Sequence, residues 1–377
     1  MESVVVLVLL IAAVSSIFVS WILALFIFVI AISIPIADVF LSIIRAKRPI
    51  EIQTPDGSGE PFHPSVVFFE EGWNGFRYWM AFTPYPVCKP PYRDRWECPC
   101  VVASNDGIHW EYPGDFAFLD DLTENQIQSR DYFSDTHLTY DSSRNVLYCY
   151  YRLDKGEGSK KVTIFRRESA EGKKWSERIP LVYSESVDAL EPLSQSVVYE
   201  NGCFSMWYVA HSGDPNGVYM LISPDGIVWD CNKKCIFSGA AVVPWHIDCQ
   251  YMDGRYYLTV YELSQRITLW TSSDGLNFTF VKLLLTIPKF GNCGLFYNNI
   301  LYRACTVKDE KGYSVYFACG NKKRNTIGLM VGEEITGMKI VSASEKNITK
   351  MMVFDILSKY SLAERLLLYK IKRIVKR

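Results

Sequence analysis

The sequence has no large excess of charge of either sign. Lys and Arg together number 40 and Asp and Glu together 41, so the formal net charge is −1 at pH 7. Domains that bind nucleic acids carry a basic patch or stripe and are basic overall. A chain this close to neutrality is not of that class, and we expect no nucleic-acid partner.

A disulfide framework is also missing. The chain has 11 cysteines, an odd number, without framework spacing. Isolated cysteines at strand positions usually behave as small buried hydrophobes, and this usage fits a reducing compartment better than an oxidising one. Cys98 with Cys100, and Cys231 with Cys235, lack a second pair at a zinc-site spacing. We therefore predict no metal site from the cysteines and no cofactor.

Charged residues are absent from Val4 to Ile36. This run exceeds the roughly 20 residues that cross a bilayer, and it lacks the basic start of a cleaved signal peptide. We predict an N-terminal transmembrane helix, with residues 1–48 as a membrane anchor and the span at about 4–36. A two-pass hairpin broken near Ser15-Ser16 is the alternative.

The charges that flank this run predict its orientation. Arg45, Lys47 and Arg48 follow it, whereas only Glu2 and the amino terminus precede it. The positive-inside rule then places the C-terminal side in the cytoplasm. We predict a single-pass membrane protein whose main domain lies on the cytoplasmic face.

Aromatic residues, in contrast, are abundant. They make up 14% of the chain, and Tyr alone numbers 23, which is typical of packed sheets and of surfaces that stack against sugars. The stretch from His63 to Trp110 contains three short strand patterns and then the turn Ser104-Asn105-Asp106-Gly107. An Asp-Gly turn between apolar runs is a strong hairpin signal. This stretch has the size of one four-stranded propeller blade.

The same unit recurs along the chain. Its first strand reads polar-x-polar-apolar-x-aromatic, and the Ser-x-Asp-Gly turn returns at Ser223 and Ser272. Two motifs in register across most of five units indicate a repeat. We predict an all-β, five-bladed β-propeller over residues 62–340, after a linker at 49–61. Its first strands are predicted near residues 64–68, 136–140, 195–199, 247–251 and 293–297.

Polar residues begin these first strands, which lie beside the central axis of a propeller. The set is His63, Ser65, Asp135, His137, Ser194, Ser196, His246, Asp248 and Asn292. We expect these side chains to converge on a functional pocket. The alternative is that they only hydrogen-bond neighbouring blades, because buried polar groups need partners. His63, His137, His246 and the two Asp can also ligate a cation in the central funnel.

With these residues the chain resembles the five-bladed propeller glycosidases, the superfamily of arabinanases, xylosidases, invertases and levansucrases, and is glycoside hydrolase family 43-like. In the arabinanase and xylosidase branch, an Asp on blade one acts as the catalytic base and a Glu on blade three as the catalytic acid. An Asp on blade two orients the acid and tunes its pKa. Asp135 matches the blade-two pattern. This chain has His63 where the family has the blade-one Asp. Glu191 lies about two residues before the position of the family's blade-three Glu.

This resemblance implies a membrane-anchored, glycosidase-like enzyme that cleaves or transfers an O-glycosyl bond of a glycan or glycolipid head group. The residues it implies for catalysis are Asp135, Glu191 and His63. Those expected to bind substrate are His137, Ser194, His246, Asp248, Asn292 and Ser65. The alternative is a non-catalytic, carbohydrate-binding or scaffold propeller at the membrane, because the fold can keep a sugar pocket without hydrolysis.

Residues 341–377 are predicted to form a helical basic tail. On a helix from Leu362 to Arg377, apolar and basic residues fall on opposite arcs, an arrangement that suits an anionic membrane surface. A helix docked on the propeller is the alternative. The expected partners are therefore a carbohydrate or glycolipid and the membrane.

Overall fold

Five antiparallel sheets follow one another along the chain. In this computed structural model the described residues are 2–87, 97–156, 162–183, 192–210, 217–289, 292 and 295–343. Blade one contains β1 (Pro61–Trp73), β2 (Phe76–Pro84) and β3 (Cys100–Ser104). Blade two, which follows the short helix α2 (Glu124–Gln128), contains β4 (Tyr132–Asp141), β5 (Val146–Asp154), β6 (Val162–Ser169) and β7 (Ile179–Tyr183).

The other three blades repeat this meander. Blade three contains β8 (Pro192–Glu200), β9 (Cys203–Ala210), β10 (Gly217–Ser223) and β11 (Asp230–Lys234). Blade four contains β12 (Ile236–Ser238), β13 (Pro244–Met252), β14 (Arg255–Glu262), β15 (Arg266–Ser272) and β16 (Asn277–Thr286), and its edge strand β12 runs parallel to β16. Blade five contains β17 (Ile300–Asp309), β18 (Gly312–Gly320), β19 (Asn325–Gly332) and β20 (Lys339–Ile340).

The first strands of the five blades close a ring. In sequence, β1, β4, β8, β13 and β17 each contact the next, and β17 contacts β1. The apolar core is divided into clusters between neighbouring blades. Trp79 fills the cluster between blades one and two, and Trp207 and Trp270 fill the one between blades three and four. The predicted all-β, five-bladed propeller is confirmed.

The predicted first strand of blade five is wrong. Among the described residues from 295 to 299 there is no strand, and the inner strand is β17, which starts at Ile300. The segment Ile300-Leu301-Tyr302 begins that inner strand. Phe296 and Tyr297 fit the apolar end of the repeat pattern because both are buried, where their rings pack against Phe317.

The repeated turn is built from two side chains. In the first copy Ser104 Oγ accepts the Gly107 N–H at 2.9 Å, and Asp106 Oδ1 accepts the N–H groups of Ile108 and His109, both at 2.8 Å. Gly107 has φ 75°, the left-handed region that glycine adopts without strain. The copies at Ser223 and Ser272 make the same bonds.

Every first strand contains a bulge near its start. The register with the second strand shifts between Phe62 and Ser65, Ser134 and His137, Leu193 and Ser196, Pro244 and His246, and Leu301 and Ala304. His63, Asp135 and Ser194 have φ values of 49°, 52° and 55° there, which is uncommon for residues other than glycine. Bulges re-aim side chains and are frequent beside active sites.

The N-terminal helix α1 spans Glu2–Arg45. It falls in one compact unit with Pro288–Leu295, whereas the propeller residues Lys47–Ile287 and Phe296–Lys346 form another. Within the part of the chain that the structure describes, no helix has the length and apolarity to cross a membrane. The basic tail from 344 onwards lies outside the described residues.

Candidate functional site

Three side chains from three blades meet at the propeller axis, and we call His63, Asp135 and His246 the axial centre. They come from β1, β4 and β13 and are all buried. His246 Nδ1 lies 3.2 Å from Asp135 Oδ1, and the imidazole centroids of His63 and His246 are 5.6 Å apart. One ligand atom from each residue lies within 4.8 Å of the others. The fold thus gathers residues that are far apart in sequence.

Asp135 is held in its ionised form. The Ser194 backbone N–H donates to Asp135 Oδ2 at 3.0 Å, and Arg152 Nε lies 3.5 Å from the same oxygen. Burial alone would raise the pKa of Asp135, but His246, Arg152 and His63 hold it well below its ordinary value. The carboxylate is therefore negatively charged at neutral pH.

The two histidines of the axial centre are neutral. Burial disfavours the charged imidazolium. It therefore lowers the pKa of His246, and it lowers the pKa of His63 well below its ordinary value. His63 Nδ1 is hydrogen-bonded to Thr83 Oγ1 at 2.8 Å, which leaves Nε2 as its other ring nitrogen. A neutral imidazole with one nitrogen engaged can present the other to a ligand.

Several polar atoms of this region have no hydrogen-bond partner among the described residues. They include Asp135 Oδ1, His246 Nδ1, His246 Nε2 and Glu97 Oε2, together with Nε and Nη1 of the neighbouring Arg303. His246 Nδ1 and Asp135 Oδ1 are within ion-pair distance but lack hydrogen-bond geometry. Because buried polar atoms are normally paired, such a set indicates an external ligand. Two neutral imidazoles and one carboxylate are donors that fit a divalent cation.

A second buried set lies on the same strands, and we call Ser65, His137, Ser196 and Asp248 the hydrogen-bonded layer. His137 Nε2 donates to the Val197 carbonyl at 2.8 Å. His137 Nδ1 lies 3.1 Å from both Ser65 Oγ and Asp248 Oδ2. Ser196 Oγ accepts the Cys249 N–H at 2.8 Å. These bonds join neighbouring blades. They are the hydrogen bonds that the sequence analysis gave as the alternative to a functional pocket.

Arg303 connects the axial centre to the hydrogen-bonded layer, and the sequence analysis missed it. Its guanidinium is fully buried, with Nη1 4.0 Å from Asp135 Oδ1 and Nη2 3.6 Å from Asp248 Oδ2. Nη2 also donates to the Gln195 carbonyl at 3.0 Å. With β17 placed as the inner strand, Arg303 occupies its bulge. The misplaced first strand of blade five concealed that position.

The remaining predicted residues lie elsewhere or outside the described chain. Ser194 Oγ accepts the Ile247 N–H at 2.9 Å and donates to the Ile247 carbonyl, so its hydroxyl ties blade three to blade four. Asn292 falls in the compact unit of helix α1, where its amide donates to the Pro288 carbonyl at 3.0 Å. Glu191, the predicted acid, lies outside the described residues.

Glu97 is a second residue that the sequence analysis missed. It precedes β3, is buried, and has Oε2 3.3 Å from His63 Nδ1. Burial raises its pKa well above the ordinary value, and the charge of Asp135 raises it further. Glu97 also has φ 56°, a backbone strain that often marks a functional site. No repeat motif covers this residue, so its sequence context gave no signal.

The comparisons with known proteins support the fold. No protein-family model matches the chain. The A type blood N-acetyl-α-D-galactosamine deacetylase of Flavonifractor plautii is 27% identical over 267 residues, which cover 57% of this chain and 33% of the relative. The chain thus spans about a third of that relative's length.

Solved structures give the same picture. An N-acetylgalactosamine deacetylase from F. plautii, in complex with blood group B trisaccharide, matches with TM-score 0.63 and 21% identity over 75% of this chain and 94% of that one. A family 43 β-xylosidase/α-arabinofuranosidase from a compost metagenome matches with TM-score 0.51 and 11% identity, over 79% and 100%. A family 43 enzyme from Xanthomonas citri matches with TM-score 0.52 and 12% identity, over 82% and 98%.

These matches confirm the resemblance found in the sequence. The chain is a five-bladed β-propeller whose structural neighbours are glycoside hydrolase family 43-like enzymes and a carbohydrate deacetylase. At these identities the structural matches establish the fold alone.

Proposed function

We propose that this protein is a carbohydrate-acting hydrolase that removes an acyl group from an N-acylated sugar, with a divalent cation at the axial centre. The observation that carries this proposal is the set of unpartnered buried atoms on Asp135 and His246 beside His63. The curated relative is a deacetylase of N-acetyl-α-D-galactosamine. Its name supplies the proposed substrate class.

The residues of the axial centre have distinct tasks in this proposal. Asp135, His63 and His246 would hold the cation, and Arg152 and Ser194 fix the orientation of the carboxylate. A divalent cation there would supply Lewis-acid chemistry to a carbonyl group. Thr83 engages His63 Nδ1 and so leaves Nε2 for the centre. Glu97, beside His63, offers an unpartnered carboxyl oxygen for proton exchange with the reactant.

Hydrolysis of a glycosidic bond is the second candidate. It needs two carboxyl groups flanking the bond, for which Asp135 and Glu191 are proposed, with His63 as the base. The agreement of Asp135 with the blade-two pattern of the propeller glycosidases favours it. The presence of His63 where those enzymes have the blade-one Asp favours the deacetylase instead.

One assay separates the two reactions. We would incubate the purified full-length chain with p-nitrophenyl N-acetyl-α-D-galactosaminide and measure free acetate and p-nitrophenol. Deacetylation releases acetate, is abolished by a chelator and returns with added Mn²⁺. Release of p-nitrophenol without acetate would establish the glycosidase. Release of neither product would reject both reactions on this sugar.

Membrane attachment also remains a proposal. The charge-free run from Val4 to Ile36 and the basic residues after it support an anchor with the propeller on the cytoplasmic face. The basic tail supports a further contact with anionic lipid. A glycolipid head group would then be within reach of the propeller. Protease treatment of intact cells tests the orientation, because digestion of the propeller from outside would contradict it.

A further inference from the structure

Blade five places an aromatic residue against the axial centre. The register shift in β17 lies between Leu301 and Ala304, so Tyr302 and Arg303 form its bulge. His63 and Asp135 occupy the corresponding first bulge position in β1 and β4. Tyr302 therefore stands where blades one and two place their residues of the axial centre.

The Tyr302 ring packs on both histidines of the centre. Its centroid lies 4.2 Å from that of His246 and 5.2 Å from that of His63. The same ring is 5.2 Å from the ring of Tyr261. Tyr302 thus packs directly against two of the three residues of the axial centre.

The hydroxyl of Tyr302 has an unused proton. Within the described part of the chain its one hydrogen-bond partner is Trp245, whose Nε1–H donates to Tyr302 Oη at 3.5 Å. An indole nitrogen can only donate, so the phenol proton has no acceptor there. Tyr302 is half-buried, and its phenol proton is available to an external acceptor.

We propose that Tyr302 is a substrate-contacting residue whose hydroxyl donates a hydrogen bond to the acyl carbonyl oxygen of the sugar at the axial centre. This inference rests on the proposed deacetylase function. A donor at that oxygen stabilises the negative charge that develops there during amide hydrolysis. The aromatic ring meanwhile keeps the two imidazoles in place.

The test compares Tyr302→Phe with Tyr261→Phe. Both changes remove one hydroxyl from the same aromatic cluster, but the Tyr261 ring lies 6.2 Å from the His246 ring, against 4.2 Å for Tyr302. Binding of N-acetylgalactosamine and of galactosamine, which lacks the carbonyl, would be followed by NMR titration of the full-length chain. We expect Tyr302→Phe to weaken N-acetylgalactosamine binding about threefold to tenfold and to leave galactosamine binding unchanged. Acetate release should fall about 100-fold or more.

Each other outcome overturns the inference. Equal weakening of both sugars would mean that the hydroxyl contacts the sugar ring instead of the acyl group. Wild-type affinity of Tyr302→Phe for N-acetylgalactosamine, or an equal effect of Tyr261→Phe, would remove its assigned role. If the wild-type chain binds neither sugar, the proposed function itself fails, which is a separate result from an unchanged variant.

Discussion

The axial centre and the hydrogen-bonded layer both place histidine and aspartate on the inner strands of the propeller. Each contains a buried histidine and a buried aspartate, and His246 and Asp248 lie two residues apart on β13. In the layer, both ring nitrogens of His137 have partners within the protein. In the axial centre, neither ring nitrogen of His246 has one among the described residues.

This difference separates structural polar residues from those that await a ligand. Burial of a polar atom without a partner costs about 1–3 kcal/mol, so a fold keeps such atoms only where another gain offsets the loss. Both regions are buried, and both contain histidine and aspartate. The presence or absence of hydrogen-bond partners within the protein distinguishes them.

The largest effect is expected where the two regions are joined. Arg303→Met removes the guanidinium that lies between Asp135 and Asp248. We expect the free energy of unfolding to fall by about 3–5 kcal/mol. Urea unfolding measures it. The control is Arg77→Met, which removes an exposed pair with Glu310 and should change stability little. Equal stability losses in the two variants would show that Arg303 does not link the regions.

Replacing His246 and His137 separately by Gln tests the comparison between the axial centre and the hydrogen-bonded layer. His246→Gln removes no hydrogen bond, so we expect unfolding to change by less than about 1 kcal/mol while acetate release falls by about 100-fold or more. His137→Gln breaks bonds between blades, so stability should fall by about 1–3 kcal/mol with turnover per folded molecule nearly kept. The reverse pattern would mean that the functional and structural regions have been exchanged.

The sequence predicted the fold through its repeats, because a blade cannot bury its faces alone and each copy keeps the same pattern. It also identified His63, Asp135 and His246 as converging residues. It could not separate them from His137 and Asp248, since hydrogen-bond partners depend on inter-blade geometry. Arg303 and Tyr302 were missed because Phe296 and Tyr297 imitate the strand pattern. Glu97 lies outside every repeat motif.

The pH dependence of stability gives a smaller effect. In chelator-treated protein His63 and His246 stay neutral because burial lowers their pKa values. The unfolded chain binds more protons below pH 6.5, so this stability is complete above about pH 7.5 and is lost as the pH falls. Between pH 7.5 and 5.5 we expect a loss on the order of 1 kcal/mol per histidine. His246→Gln should flatten the slope measured by urea unfolding; an unchanged slope would contradict neutral burial of His246.

An effect of similar size concerns the hydrogen bond that orients His63. Thr83→Val keeps the size of the buried side chain but removes the partner of His63 Nδ1. Loss of the hydrogen bond to the other ring nitrogen of a metal-binding histidine typically lowers the affinity for the metal about 10–100-fold. We expect about tenfold weaker Mn²⁺ binding. Thr139→Val is the control, because Thr139 Oγ1 donates to the Val197 carbonyl in the other region. Equal losses of affinity would contradict a specific role for Thr83.

Cation binding tests the central claim most directly. Mn²⁺ would be titrated calorimetrically into chelator-treated full-length protein, with His246→Gln and His137→Gln measured beside the wild type. Our account predicts one saturable site in the wild type, its loss in His246→Gln and its retention in His137→Gln. Absence of Mn²⁺ binding in the wild type, or wild-type binding by His246→Gln, would contradict a cation at the axial centre.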